Sequence, residues 1–107
     1  MNNRVSGDPV LSRFRAALAE TYGERLERAV LFGSRARGDA RPDSDYDVAV
    51  FIRELDGWLD EVIRLAHLGT EILLDTGAVI SAKPFRAGAY NEALPLMQEI
   101  QREGLDL

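Results

Sequence analysis

The sequence predicts an α/β (α+β) domain: a sheet of about three main strands with helices packed on one face. Three observations carry that expectation. An apolar run from Leu26 to Phe32 stops at a Gly33-Ser34 turn. A second apolar run, ending at Ile52, opens on Asp45-Tyr46-Asp47. Segments with helical spacing of apolar residues flank both, giving the order helix, strand, turn, strand, helix, strand, helix.

Met1 to Asp8 is polar, and residues 1–8 are expected to fray. Gly7-Asp8-Pro9 is a helix-start signal. Val10, Leu11, Phe14, Ala17 and Leu18 then follow helical spacing to about Tyr22, and Gly23 stops the helix. Leu26 to Phe32 reads as a core strand bounded by glycine. Gly33 permits a backbone geometry and a close ligand approach that a side chain would block. Ser34 is expected to cap a short helix through Arg37, closed by Gly38.

In the second strand, Tyr46, Val48, Val50 and Ile52 alternate onto the buried face. Asp56-Gly57 begins a long helix. Trp58, Leu59, Val62, Ile63, Leu65, Ala66, Ile72 and Leu73 give it a wide apolar face, with Trp58 as a core anchor. Asp60, Glu61 and Arg64 are expected on its wet side, and Gly69 could mark a break. His67, within this helix, reads as a structural or surface residue rather than a catalyst. Thr76-Gly77 ends it. A third strand runs from Ala78 to Lys83, with Ala78, Ile80 and Ala82 toward the helices. The last helix spans about Ala89 to Arg102, with Leu94, Leu96, Met97 and Ile100 inward. Pro95 either lies in its first turn or kinks it.

The chemistry concentrates between Leu31 and Ile52. Asp45 and Asp47 are two apart and share a face of the strand. Like charges so placed destabilise a sheet, and a divalent cation would compensate them. Magnesium suits the role, being held by one or two carboxylates plus substrate phosphates. The alternative is a solvated strand end with ordinary turn acids. Asp43 reads as a loop residue. The Gly33-Ser34 turn, following a strand, suits phosphate. Arg35, Arg37 and Arg41 surround it, either as phosphate-binding guanidiniums or as a solvated basic loop balancing the local acids.

The 107 residues suffice for one domain, residues 1–107, with one modest core. There are no cysteines, which excludes disulfides and thiolate metal sites. No apolar run is long enough to span a membrane, and no signal peptide is recognisable, so a cytoplasmic location is expected. A net charge of −5 disfavours tight binding to a long nucleic acid.

Gly33-Ser34, Ala36, Gly38, Ser44-Asp45 and Asp47 fit the pattern G-S-x-A-x-G…S-D-x-D. In this the chain resembles the DNA polymerase beta-like nucleotidyltransferases, and within them the minimal nucleotidyltransferases. The resemblance implies a mixed sheet, one or two magnesium ions, and ATP or another nucleoside triphosphate as substrate. It implies that Gly33 and Ser34, with Arg35, Arg37 and Ser44 around them, hold the nucleotide, and that Asp45 and Asp47 bind metal and are catalytic. It also implies a helical partner of the HEPN type, a toxin that the nucleotidyltransferase neutralises as antitoxin, in one mode by AMP transfer. Larger relatives carry further domains, for which this chain has no room.

The family usually supplies a third carboxylate from a later strand. Here that strand contains no acid, and Ser81 is the candidate for the vacant position, with Lys83 on the same face. Two further readings therefore stand beside the transferase: a binding module that neutralises its partner by complex formation, and a nucleotide sensor. Ala49 and Phe51, beyond the Asp pair, are expected to form an open apolar strip serving a partner or a homo-oligomer.

Overall fold

A computed structural model describes residue 5 and residues 7–107. Residues 1–4 and 6, part of the segment expected to fray, lie outside the described residues. The elements are α1 (Pro9–Tyr22), β1 (Leu26–Phe32), α2 (Ser34–Arg37), β2 (Tyr46–Ile52), α3 (Trp58–Thr76), β3 (Ile80–Arg86), α4 (Pro95–Glu103) and β4 (Leu105–Asp106). Val5 packs on the core, and Asp8 caps α1. Its Oδ1 accepts the N–H groups of Val10 at 2.8 Å and Leu11 at 3.3 Å, satisfying donors that a helix start leaves open.

The four strands lie in the order β3-β2-β1-β4. β2 runs antiparallel to β1 and parallel to β3, and β4 runs antiparallel to β1. The sheet is therefore mixed. β3 lies at one edge, where Pro84 is tolerated because only one side of the strand is paired. β4 was not foreseen, because two residues carry no alternation to read.

One face of the sheet packs against α1 and α3. Leu31, Val48, Val50 and Ile52 meet Leu11, Phe14 and Leu18 of α1 and Leu65 and Ile72 of α3 in one apolar cluster. Tyr46 points to this face, as alternation predicts. The other face is not open. Val30, Phe32, Ala49 and Phe51 cluster with Ala89 and with Met97 and Ile100 of α4. Phe85 stacks on Phe51 at 5.5 Å between ring centroids, and Tyr90 meets it edge-on at 5.8 Å. The expected Ala49–Phe51 partner strip is thus a second, smaller core. A charged residue at position 51 would unfold the chain rather than merely release a partner.

α4 starts at Pro95, which occupies its first turn and neither breaks nor kinks it. Leu94 and Leu96 are exposed, whereas Met97 and Ile100 point inward. α3 runs without a break through Gly69. A Cβ there would stand 3.4 Å from the Ile80 carbonyl, an ordinary van der Waals contact, so the packing of α3 on β3 does not itself demand glycine.

The wet and dry sides of α3 differ from the expectation. Trp58 is 59% exposed and anchors no core, and Leu59, Ile63, Leu73 and Leu74 are exposed too. Glu61, expected in water, is 5% exposed. It accepts a hydrogen bond from the Tyr22 hydroxyl at 3.0 Å and from Arg25 at 3.0 Å, and Arg64 lies 3.3 Å away. Burial, then the Glu61 carboxylate, push the Tyr22 hydroxyl well above the ordinary phenol range. This network ties α1 to α3 through polar groups that the apolar pattern could not reveal. Glu61→Ala strands the buried Tyr22 hydroxyl, so stability should fall by about 2 kcal/mol. The shift of a urea midpoint measures it. An unchanged midpoint would mean that water replaces the carboxylate.

Candidate active site

The Gly33-Ser34 turn stands where β1 ends. Gly33 adopts φ +78° and ψ −159°, a region essentially confined to glycine. A Cβ at position 33 would collide with the Asp47 carboxylate oxygen Oδ2. The dihedrals therefore call for glycine, and a side chain there would also force the Asp47 carboxylate to shift. α2 follows at once, with Gly33 as N-cap and Gly38 closing it at φ +89°. The predicted side-chain cap by Ser34 is not made. Ser34 is the first helical residue, and its hydroxyl has no hydrogen-bond partner among the described residues.

Asp47 sits in the second position of β2, facing Phe32 across the antiparallel pair and Ser81 across the parallel pair. Asp45 is exposed immediately before the strand, and Asp47 is half-buried. Burial holds the Asp47 carboxyl above the usual carboxylate range. The positive charges of Lys83 and Arg37 oppose that effect, and the negative charges of Asp45 and Glu103 reinforce it. The structure therefore gathers Gly33, Asp45, Asp47, Lys83 and Arg37 at one end of the sheet. Ser81, two residues before Lys83, lies directly beside Asp47, so the register brings a hydroxyl rather than a carboxylate to that position.

The remaining predicted residues have other engagements. Arg35 donates from Nε to the Ser44 carbonyl at 3.0 Å and from Nη2 to the Pro42 carbonyl at 3.1 Å. Its guanidinium carbon lies 4.0 Å from the centroid of the Tyr46 ring. Arg35 thus fastens the loop that delivers Asp45. Ser44 works within that loop, its hydroxyl accepting the Arg41 N–H at 2.9 Å. Arg37 pairs with Asp39 at 3.2 Å and with Glu103 at 3.3 Å.

Glu103 was not among the predicted site residues. From the end of α4, its Oε1 accepts the Gly33 N–H at 2.8 Å. The signal was faint: an acid in the last turn of a helix, where the helix dipole disfavours one. His67 is exposed on α3.

Among the described residues no three acidic or histidine side chains are gathered as a ready metal-ligand set. The Asp45–Asp47 pair offers hard oxygen donors beside a turn with no side chain at Gly33, which fits magnesium completed by phosphate oxygens and water.

Comparison with known proteins agrees with this architecture. The family described as Polymerase beta, Nucleotidyltransferase matches residues 16–105. A candidate protein adenylyltransferase of Methanocaldococcus jannaschii, MJ0604, is 37% identical over 78 residues, covering 73% of this chain and 72% of the relative. A solved structure described as a minimal nucleotidyltransferase is 30% identical, covers 90% of each chain and superposes with a TM-score of 0.58. A chain of a solved mutant form of the toxin–antitoxin MntA–HpeT shares the fold at a TM-score of 0.60 and 18% identity, covering 86% of this chain and 68% of that one. With the family's model matching most of its length, the chain belongs to the polymerase beta-type nucleotidyltransferase family.

Proposed function

We propose that this chain is a magnesium-dependent protein adenylyltransferase that moves AMP from ATP to a hydroxyl of a HEPN-type helical toxin and thereby acts as its antitoxin. The observation that carries the reading is the contact between Gly33 and Asp47: the glycine-confined turn and the carboxylate pair form one site. The names of the relatives support the acceptor class, one being named a candidate protein adenylyltransferase. Fold neighbours come from toxin–antitoxin complexes, one of them crystallised with AMP-PNP.

In this reading the turn at Gly33-Ser34 receives the triphosphate through the Gly33 N–H and the Ser34 hydroxyl, and Arg37 neutralises phosphate charge. Asp45 and Asp47 would hold magnesium, which supplies charge neutralisation on the phosphates. The acceptor oxygen bonds to the α-phosphorus, the bond from that phosphorus to the bridging oxygen breaks, and pyrophosphate leaves with that oxygen. The acceptor proton passes to solvent, since β3 provides no carboxylate to take it. The protein's contribution is positioning and charge neutralisation.

Intact-mass spectrometry of the helical partner, incubated with this chain, ATP and magnesium, tests the proposal. An added adenylyl mass is the expected result. The acid-free β3 favours a second reading, a binding antitoxin in which Lys83 neutralises Asp47. A stable complex with no added mass would select it. Ser81→Asp bears on the same point. If Ser81 fills the vacant position, restoring a carboxylate should raise turnover by about a hundredfold, the low end of what a positioned base contributes. Unchanged turnover and unchanged magnesium affinity would mean that Ser81 does not fill it.

A further inference from the structure

We propose that the Glu103 carboxylate is a built-in competitor for phosphate at the Gly33-Ser34 turn, so that a nucleotide binds only when Glu103 swings away. The proposal rests on the reading of that turn as the nucleotide site and adds a regulation of it.

Carboxylate and phosphate are both oxyanions, and both seek N–H groups and guanidinium. Glu103 holds one of each. Its Oε1 accepts the Gly33 N–H at 2.8 Å, and both of its oxygens lie 3.3 Å from the Arg37 Nη1. These are donors that an incoming triphosphate would use. The Glu103 side chain is only 9% exposed, so water does not shield it from the site. Asp47 stands close enough to be repelled by it. As the last residue of α4, Glu103 also carries its charge at the negative end of the helix. A carboxylate disfavoured by its neighbours and its helix is held there by the anion-receiving groups of the turn.

The backbone fixes this placement. The Gly104 N–H closes α4 onto the Ile100 carbonyl at 2.8 Å. A Cβ at position 104 would strike both that carbonyl and the Val30 side chain. The end of α4 therefore lies hard against β1, and only side-chain rotation moves Glu103. That rotation releases the Gly33 N–H and Arg37 together. Glu103 is not gathered with Asp45 and Asp47 as a third metal ligand, because no such set of three exists among the described residues.

Isothermal titration calorimetry with ATP and magnesium, repeated with inorganic tripolyphosphate, tests this on wild type, Glu103→Ala and Glu103→Gln. Removing the competitor should tighten both ligands roughly tenfold in Glu103→Ala, the scale of one charge-assisted hydrogen bond. Glu103→Gln, which keeps an acceptor for Gly33 without the charge, should fall between. It also serves alone if Glu103→Ala fails to fold. Equal or weaker binding in the variants, with wild type binding normally, would overturn the competition and leave the nucleotide site standing. If no chain binds ATP or tripolyphosphate, the nucleotide reading of the turn fails and the competition fails with it.

Discussion

The double substitution Asp45→Asn with Asp47→Asn should abolish nucleotidyl transfer while leaving the fold intact. Both positions lie at the open end of the sheet, and neither belongs to the apolar clusters on its faces. Neutral amides cannot replace anionic oxygen donors for magnesium, nor balance its charge. Charge stabilisation by a bound metal amounts to several kcal/mol, so the rate of pyrophosphate release should fall by about three orders of magnitude. Residual activity within tenfold of wild type would remove these carboxylates from the mechanism.

The same substitution separates function from stability. Burial raises the Asp47 pKa in the folded chain above its ordinary 3.8. A carboxyl with a raised folded pKa favours the folded state while it is protonated. That contribution is fully present below 3.8 and is lost as the pH rises through the raised value. At neutral pH the ionised Asp47 is therefore a burden on the fold, accepted at a functional site. Asp47→Asn should be at least as stable as wild type at neutral pH, and its advantage should shrink in acid. Thermal midpoints measured across pH check this. A variant less stable at neutral pH would mean that Asp47 is needed structurally.

Gly33→Ala should damage both stability and activity. Holding an alanine at φ +78° and ψ −159° costs on the order of 1–3 kcal/mol. The new methyl also meets Asp47 Oδ2 directly, so either the turn or the carboxylate must move. A displacement of about 1 Å can lower a rate by about a hundredfold. Denaturant unfolding and pyrophosphate release, measured on the same preparation, should both show the loss. A variant with wild-type turnover would mean that the contact between Gly33 and Asp47 does not shape the site.

Much of this was legible in the residues because several local signals agreed. Asp8 before Pro9 and Gly23 after Tyr22 bracket α1, and apolar Leu26 to Phe32 followed by glycine define β1. Alternation placed Tyr46 opposite the Asp pair and Ser81 on the site face, and the register of β2 with β3 agrees. The sheet order, the two-residue β4 and the second core were not legible, because they depend on contacts between distant segments. α4 covers Phe51 through Met97 and Ile100, and nothing local to Phe51 announces that. On α3, hydrophobicity alone misplaced Trp58 and Glu61. Glu61 is buried because Tyr22 and Arg25, far away in sequence, satisfy it. Glu103 escaped notice for the same reason, since its partner Gly33 is 70 residues away.

The most direct test of the central claim is a two-label experiment. The helical partner is incubated with this chain, magnesium and ATP labelled on either the α- or the γ-phosphate. The α-label should appear on the partner and the γ-label in pyrophosphate, and both signals should vanish with Asp45→Asn/Asp47→Asn. An unlabelled partner in a stable complex, or label transfer that survives the double substitution, would contradict an adenylyltransferase working at this site.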